Sequence, residues 1–212
     1  MSEQSHTPRG IASDGAIAAP GSKAHLLSRG VPALLVGLAT TFTGGHSPLF
    51  GLVAVAAWGI AGGIADGVAV ARMPLPQRVR GLQLARAATV LAVGVLAAVL
   101  STAATAAALV YLVGVGAILA GGLDTAAGIL ARRRLPLARD WMLLGGATLL
   151  LGVLALVVPP GFRQPFPGAG GDPGVLTAST IVVGFFGAWG IVVGVLALIA
   201  AAGERTGAEP AG

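Results

Sequence analysis

The sequence predicts an all-α integral membrane protein: six transmembrane helices arranged as three parallel tandem hairpin repeats, N-in/C-in. Three observations predict it. The 212 residues are 55% hydrophobic and only 10% charged, with a mean hydropathy of +0.88, whereas a soluble domain carries about 25% charge. Six stretches are long and apolar enough to cross ~30 Å of hydrocarbon. A hairpin-length pattern recurs three times along the chain. Eight acids and thirteen bases are too few to coat a folded surface in water. The 34 glycines follow no G-X-Y period, which excludes collagen. The absence of Cys excludes a disulfide framework, a thiolate metal site and a Cys nucleophile.

Residues 1–25 are polar and punctuated by Pro, Gly and Ser, with no continuous apolar run of the signal-peptide kind. They read as a disordered cytoplasmic tail in which His6 and His25 carry no signal. The spans fall near 27–44, 49–71, 84–101, 104–131, 141–159 and 175–202. They make hairpin 1 (26–73), hairpin 2 (80–132) and hairpin 3 (140–203). The third hairpin has a longer outer loop, 159–174, whose Pro and Gly read as a plain connector. Residues 204–212 read as a second disordered tail. Arg9, Lys23, Arg29, Arg72, Arg78, Arg80, Arg86, Arg132, Arg133, Arg134, Arg139 and Arg205 all fall on one side, and Arg163 alone on the other. The positive-inside rule places that basic side, with both termini, in the cytoplasm. The Arg clusters are then expected to contact anionic lipid headgroups. Nucleic-acid binding is not expected, because no large soluble domain presents the bases.

The repeat is visible in the residues. Ala57-Trp58-Gly59-Ile60 and Gly63 in span 2 recur in span 6 as Ala188-Trp189-Gly190-Ile191 and Gly194, a shift of 131. Span 4 follows at a shift of 58: Ile60 to Ile118, Gly63 to Gly121, Asp66 to Asp124. The odd spans align through Gly37, Gly94 and Gly152. Each unit holds two spans, so successive copies insert the same way up and are parallel rather than inverted.

Gly59, Gly63 and Gly67 are spaced by four and form one stripe on a helix face. The repeat carries the stripe to Gly121 and to Gly190 and Gly194. In lipid, small residues let backbones approach, so these glycines read as helix-packing seams in preference to a pore lining. Even spans at the centre with odd spans outside would use such seams.

Asp66 and Asp124 are the only acids inside spans. A charge at the bilayer centre costs roughly 2.5–3.5 kcal/mol, and both lie in the cytoplasmic third. Depth counted from the outer turns matches Arg29 with Asp66, and more loosely Arg86 with Asp124. In the third copy the Arg position is Leu144 and the Asp position Ala197, so both charges are lost together. The expectation is two intra-hairpin ion pairs, Arg29–Asp66 and Arg86–Asp124, with a cross-hairpin exchange of partners as the alternative. They read as locks, or else as protonatable sites on a proton or ion path.

Trp58, Trp189 and Tyr111 read as packing residues. Phe42, Phe50, Phe162 and Phe166 fit an outer aromatic belt, and Trp141 an inner one. His46 in the outer turn reads as a solvated loop residue, with pH sensing as the sharper alternative. No Walker A, HExxH, GxSxG or carboxylate/His cluster at metal-ligand spacing occurs. The chain is therefore not expected to be an enzyme or to need a cofactor.

Tandem hairpins with a mid-span Gly in the first helix, a Pro at its end (Pro159) and the core Gly187-Ala-Trp-Gly-Ile191-Val-Val-Gly194 in the second resemble the HdeD-like acid-resistance membrane proteins. The resemblance covers about residues 27–203. It implies a six-span, multi-pass protein of the bacterial inner (plasma) membrane with a role in acid or envelope stress tolerance. It supplies no catalytic residues. Two other functions stand beside it: a small proton or solute channel or transporter using Asp66 and Asp124, and a scaffold that binds partner helices through its glycine faces. A homo-oligomer or a membrane-protein partner is compatible with each.

Overall fold

The computed structural model describes residues 21–167 and 173–203. Residues 1–20 of the tail expected at 1–25, the tail expected at 204–212 and loop residues 168–172 lie outside them. Six helices make up the body: α1 (Ser22–Phe42), α2 (Pro48–Arg72), α3 (Gln77–Leu100), α4 (Ala106–Ala131), α5 (Ala138–Val157) and α6 (Ala178–Gly203). Helices α2 to α6 are each long and apolar enough to cross a membrane. Helix α1 is as long as α5, but Lys23, His25 and Arg29 dilute its apolar run. The chain is thus an all-α protein of the multi-pass membrane type.

Local chemistry sets the helix starts. Ser47 caps α2 by accepting from the Phe50 N–H at 3.2 Å, with Pro48 at the first helical position. Thr105 caps α4 by accepting from the Ala108 N–H at 3.1 Å. Gly21 precedes α1 with φ +87°, a left-handed conformation that glycine adopts without strain. Helix α1 therefore begins at Ser22, so residues 22–25, read from sequence as tail, are helical. The outer loop also differs from a plain connector. It forms a two-stranded antiparallel hairpin, β1 (Arg163–Pro167) with β2 (Pro173–Thr177), pairing Arg163 with Thr177 and Phe166 with Gly174. Residues 175–177, expected in the last span, belong to β2.

The most extensive packing joins α4 to α5, α1 to α6 and α2 to α3. Each of these contacts links one expected hairpin to the next, and α6 closes the ring on α1. The even helices also touch one another across the axis, whereas no pair of odd helices packs extensively.

The glycines explain the strong seams. A Cβ on Gly94 would lie 2.5 Å from the Ile60 amide nitrogen, and one on Gly37 2.6 Å from that of Ile191. On Gly152 it would lie 2.8 Å from the Ile118 side chain and 2.9 Å from its amide nitrogen. From the other side, Gly63, Gly121 and Gly194 press on Leu91, Leu149 and Leu34. Backbones meet here because no side chain intervenes. The even helices are central, but their glycine seams face the odd helices and not one another. Gly59 and Gly190 sit in the same seams, against Gly94 and Gly37. Gly67 is different: a Cβ there would make an ordinary 3.7 Å contact with Ala87.

The outward surface is apolar. Leu35, Val99, Val157 and Ile199 are 61–72% exposed, as lipid-facing side chains are. Tyr111, read from sequence as packing, is 55% exposed.

Candidate functional site

Seven polar or amphipathic side chains from five helices meet at the end of the bundle that carries the α2–α3 and α4–α5 connections. They are His25 and Arg29 on α1, Asp66 on α2, Gln83 and Arg86 on α3, Asp124 on α4 and Trp141 on α5, and all are buried. Asp124 accepts from both terminal nitrogens of Arg29, at 3.2 Å for Nη1 and Oδ1, in a fork-on-fork pair. It also accepts from Gln83 Nε2 at 3.0 Å. Asp66 accepts from Arg86 Nη1. Arg86 Nε lies 3.5 Å from Asp124 Oδ2, which joins the two pairs into one group. Two guanidiniums face two carboxylates, so the ionised cluster is charge-balanced.

The four charges sought by depth matching do come together, but with partners exchanged. The intra-hairpin pair Arg29–Asp66 is not formed. Arg29 reaches α4 and Arg86 reaches back to α2; the intra-hairpin contact Arg86–Asp124 survives only as the longer Nε contact. Depth fixes the level of a side chain along the helix axis. It does not fix the direction in which the side chain points around that axis.

Three members escaped the sequence reading. His25, assigned to a tail, is fully buried, with Nδ1 2.9 Å from Asp66 Oδ1. Trp141, assigned to an interfacial belt, is also fully buried and donates its indole N–H to His25 Nε2 at 3.0 Å. An indole N–H only donates, so Nε2 is the accepting nitrogen. Gln83 lies outside the sequence expectations. The signals were present. His25 lies one helical turn before Arg29, on the same face. Gln83 stands where the repeat places Leu26 and Trp141, and a polar residue at an otherwise apolar repeat position is informative.

Arg29 Nε and Gln83 Oε1 are buried without a hydrogen-bond partner among the described residues. A void of about 10 Å³, bordered by Arg29, Asp66, Arg86, Trp58 and Trp189, lies beside the cluster, near the smallest space that holds one water. Toward the middle of the bundle the axis is closed by aromatic rings. Trp58 meets Trp189 edge-on at 5.0 Å and Phe186 at 5.7 Å, and Phe186 stacks on Trp189 at 5.5 Å. Trp189 donates its indole N–H to Thr148 Oγ1 at 3.1 Å. Beyond the rings is an apolar void of about 20 Å³ flanked by Gly116, where the second repeat lacks its Trp.

The third copy of the Arg/Asp positions is dry: Leu144 and Ala197 are buried. His46 is not a free loop residue, because Nε2 lies 3.1 Å from the Thr40 carbonyl and the ring packs edge-on against Phe50. Among the described residues no three His, Asp or Glu side chains converge as metal ligands would. The arrangement ties α1 to α5 together through one polar knot below an aromatic plug. Compared with known proteins, the chain matches no family model, no curated protein and no solved structure.

Proposed function

We propose that the chain is a non-enzymatic six-span protein of the bacterial inner membrane. In this reading it is built from three parallel hairpins with cytoplasmic termini and works in acid or envelope stress tolerance. The observation that carries its non-catalytic, non-conducting character is the closed interior. Both intramembrane carboxylates are engaged by guanidiniums, and three aromatic rings fill the axis above them. Among the described residues, the cavity beside Asp66 and Arg86 is only about 10 Å³. The repeat is supported by equivalent seams, in which Gly37, Gly94 and Gly152 meet Ile191, Ile60 and Ile118 at positions aligned by the shifts of 131 and 58. The stress role rests on the HdeD-like resemblance. Deleting the gene in its host and challenging with acid and with envelope-active agents tests it. Reduced survival, restored by the wild-type chain, is expected; unchanged survival under both challenges refutes the role.

One observation favours a second reading, a gated proton path. The water-sized void touches Asp66 and Arg86 on one side and the two indoles on the other. Under that reading, Trp58→Ala with Trp189→Ala produces proton flux in proteoliposomes that Asp66→Asn abolishes. Tight vesicles from the double variant exclude it. The scaffold reading loses the glycine faces it was to use, because Gly59, Gly63, Gly121, Gly190 and Gly194 are filled by this chain's own helices.

A further inference from the structure

At the same end as the polar knot, but on the outside of the bundle, the first turn of α3 and the last turn of α4 diverge. They leave an open cleft of about 790 Å³. Arg78 stands on one wall, and Arg132, Arg133 and Arg134 on the other. Among the described residues, no acid lines the cleft. All four arginines are exposed, and none of their guanidiniums has a hydrogen-bond or ion-pair partner among the described residues. They differ in this from Arg29 and Arg86, held by carboxylates, and from Arg80, which donates to the Ala71 carbonyl at 2.7 Å. Four unneutralised guanidiniums around one cleft repel one another, and an anion between them removes that repulsion. Pro76, Gln77, Arg78 and Val79 at the start of α3 line the same space, and a helix N-terminus leaves its first N–H groups without internal acceptors.

The cleft is not purely basic. Ile129 and Leu130 form its membrane-side edge and are 51% and 47% exposed. They continue the apolar surface of α4 that carries Leu119, 54% exposed. A soluble phosphate would use the arginines and leave these side chains in water. A phospholipid uses both: its phosphate sits among the guanidiniums and its acyl chains run down α4.

We propose that this cleft is a binding site for an anionic phospholipid, recognised through its phosphodiester by Arg78 and Arg132 to Arg134. Arginine suits the role because its planar fork matches two phosphate oxygens at once. The site rests on the reading that the helices lie in a bilayer. That reading fails separately, if the chain extracts from cells without detergent.

The test uses the full chain purified in detergent, delipidated, and titrated by native mass spectrometry with cardiolipin, phosphatidylglycerol and phosphatidylcholine. The variant is R78Q/R132Q/R133Q/R134Q. The charge control is Arg72→Gln, an exposed arginine outside the cleft. Wild type and Arg72→Gln are expected to retain the anionic lipids over phosphatidylcholine. The quadruple variant should lose that preference by roughly tenfold or more while keeping the lipid-free melting temperature. Equal retention by the quadruple variant overturns the site. So does displacement of the lipid by millimolar inorganic phosphate, which would make the ligand a soluble anion. Should the quadruple variant melt early, single Arg→Lys variants decide: each keeps the charge but loses the fork, and undiminished binding in all four overturns recognition by arginine.

Discussion

Removing Arg29 and Asp124 together should cost clearly less than the sum of the two single removals. Asp124 is 1% exposed and Arg29 5%, so solvent does not screen what is left behind. Asp124→Ala takes away the acceptor for two Arg29 bonds and one Gln83 bond. Gln83 Oε1 already lacks a partner, so that amide would be wholly unsatisfied. Breaking a buried pair from one side typically costs about 3–5 kcal/mol, and each single variant should fall in that range. The double variant Arg29→Leu/Asp124→Ala introduces the residue types of Leu144 and Ala197, both buried among apolar neighbours. It leaves Arg86 on Asp66 and no net buried charge. The coupling energy should be about 2–3 kcal/mol, near the upper end for contacting residues. The depth-matched pair Arg29→Leu/Asp66→Ala should couple by less than about 1 kcal/mol, because those side chains are not bonded. The assay is equilibrium unfolding of the purified chain in mixed micelles for both double-mutant cycles. A larger coupling for Arg29 with Asp66 than with Asp124 refutes the exchanged pairing and everything argued from it.

Other variants probe the seams and the knot. Gly94→Ala places a methyl against the backbone of Gly59 and Ile60 and should cost about 1–3 kcal/mol by overpacking. Gly122→Ala, with open space around it, should be neutral or gain about 0.5 kcal/mol; equal melting temperatures for the two would undermine the seams. Trp141→Phe keeps a ring in the core but leaves His25 Nε2 without its donor, for a loss of about 1–2 kcal/mol. If His25→Leu is already present, Trp141→Phe should cost measurably less, which thermal denaturation of the four proteins reads directly. Trp189→Phe removes the bond to Thr148 and should lower stability by about 1 kcal/mol, an effect that Thr148→Val should largely absorb.

Much of the site was legible one residue at a time and illegible as a set. The buried acids and their arginines stood out because charges inside apolar spans are costly. Their pairing did not, because Arg29 and Asp124 are 95 residues apart and belong to different hairpins. His25 and Trp141, 116 residues apart, looked ordinary: a His among polar tail residues, and a Trp where a membrane interface was expected. Only their joint burial shows that the indole N–H and His25 Nε2 satisfy each other.

Composition and periodicity alone determined that this is a helical chain of the membrane type. They fixed which end carries the bases and which glycines recur at 37/94/152 and 63/121/194. These follow from local rules: apolar length, charge cost and small-residue spacing. The tertiary structure decided which helix each seam faces and which carboxylate each arginine holds. It closed the ring by setting α6 against α1 and drew five helices onto one polar knot. Those outcomes depend on the order of helices around the axis and on the rotation of each about its own, and neither is written in depth along the chain.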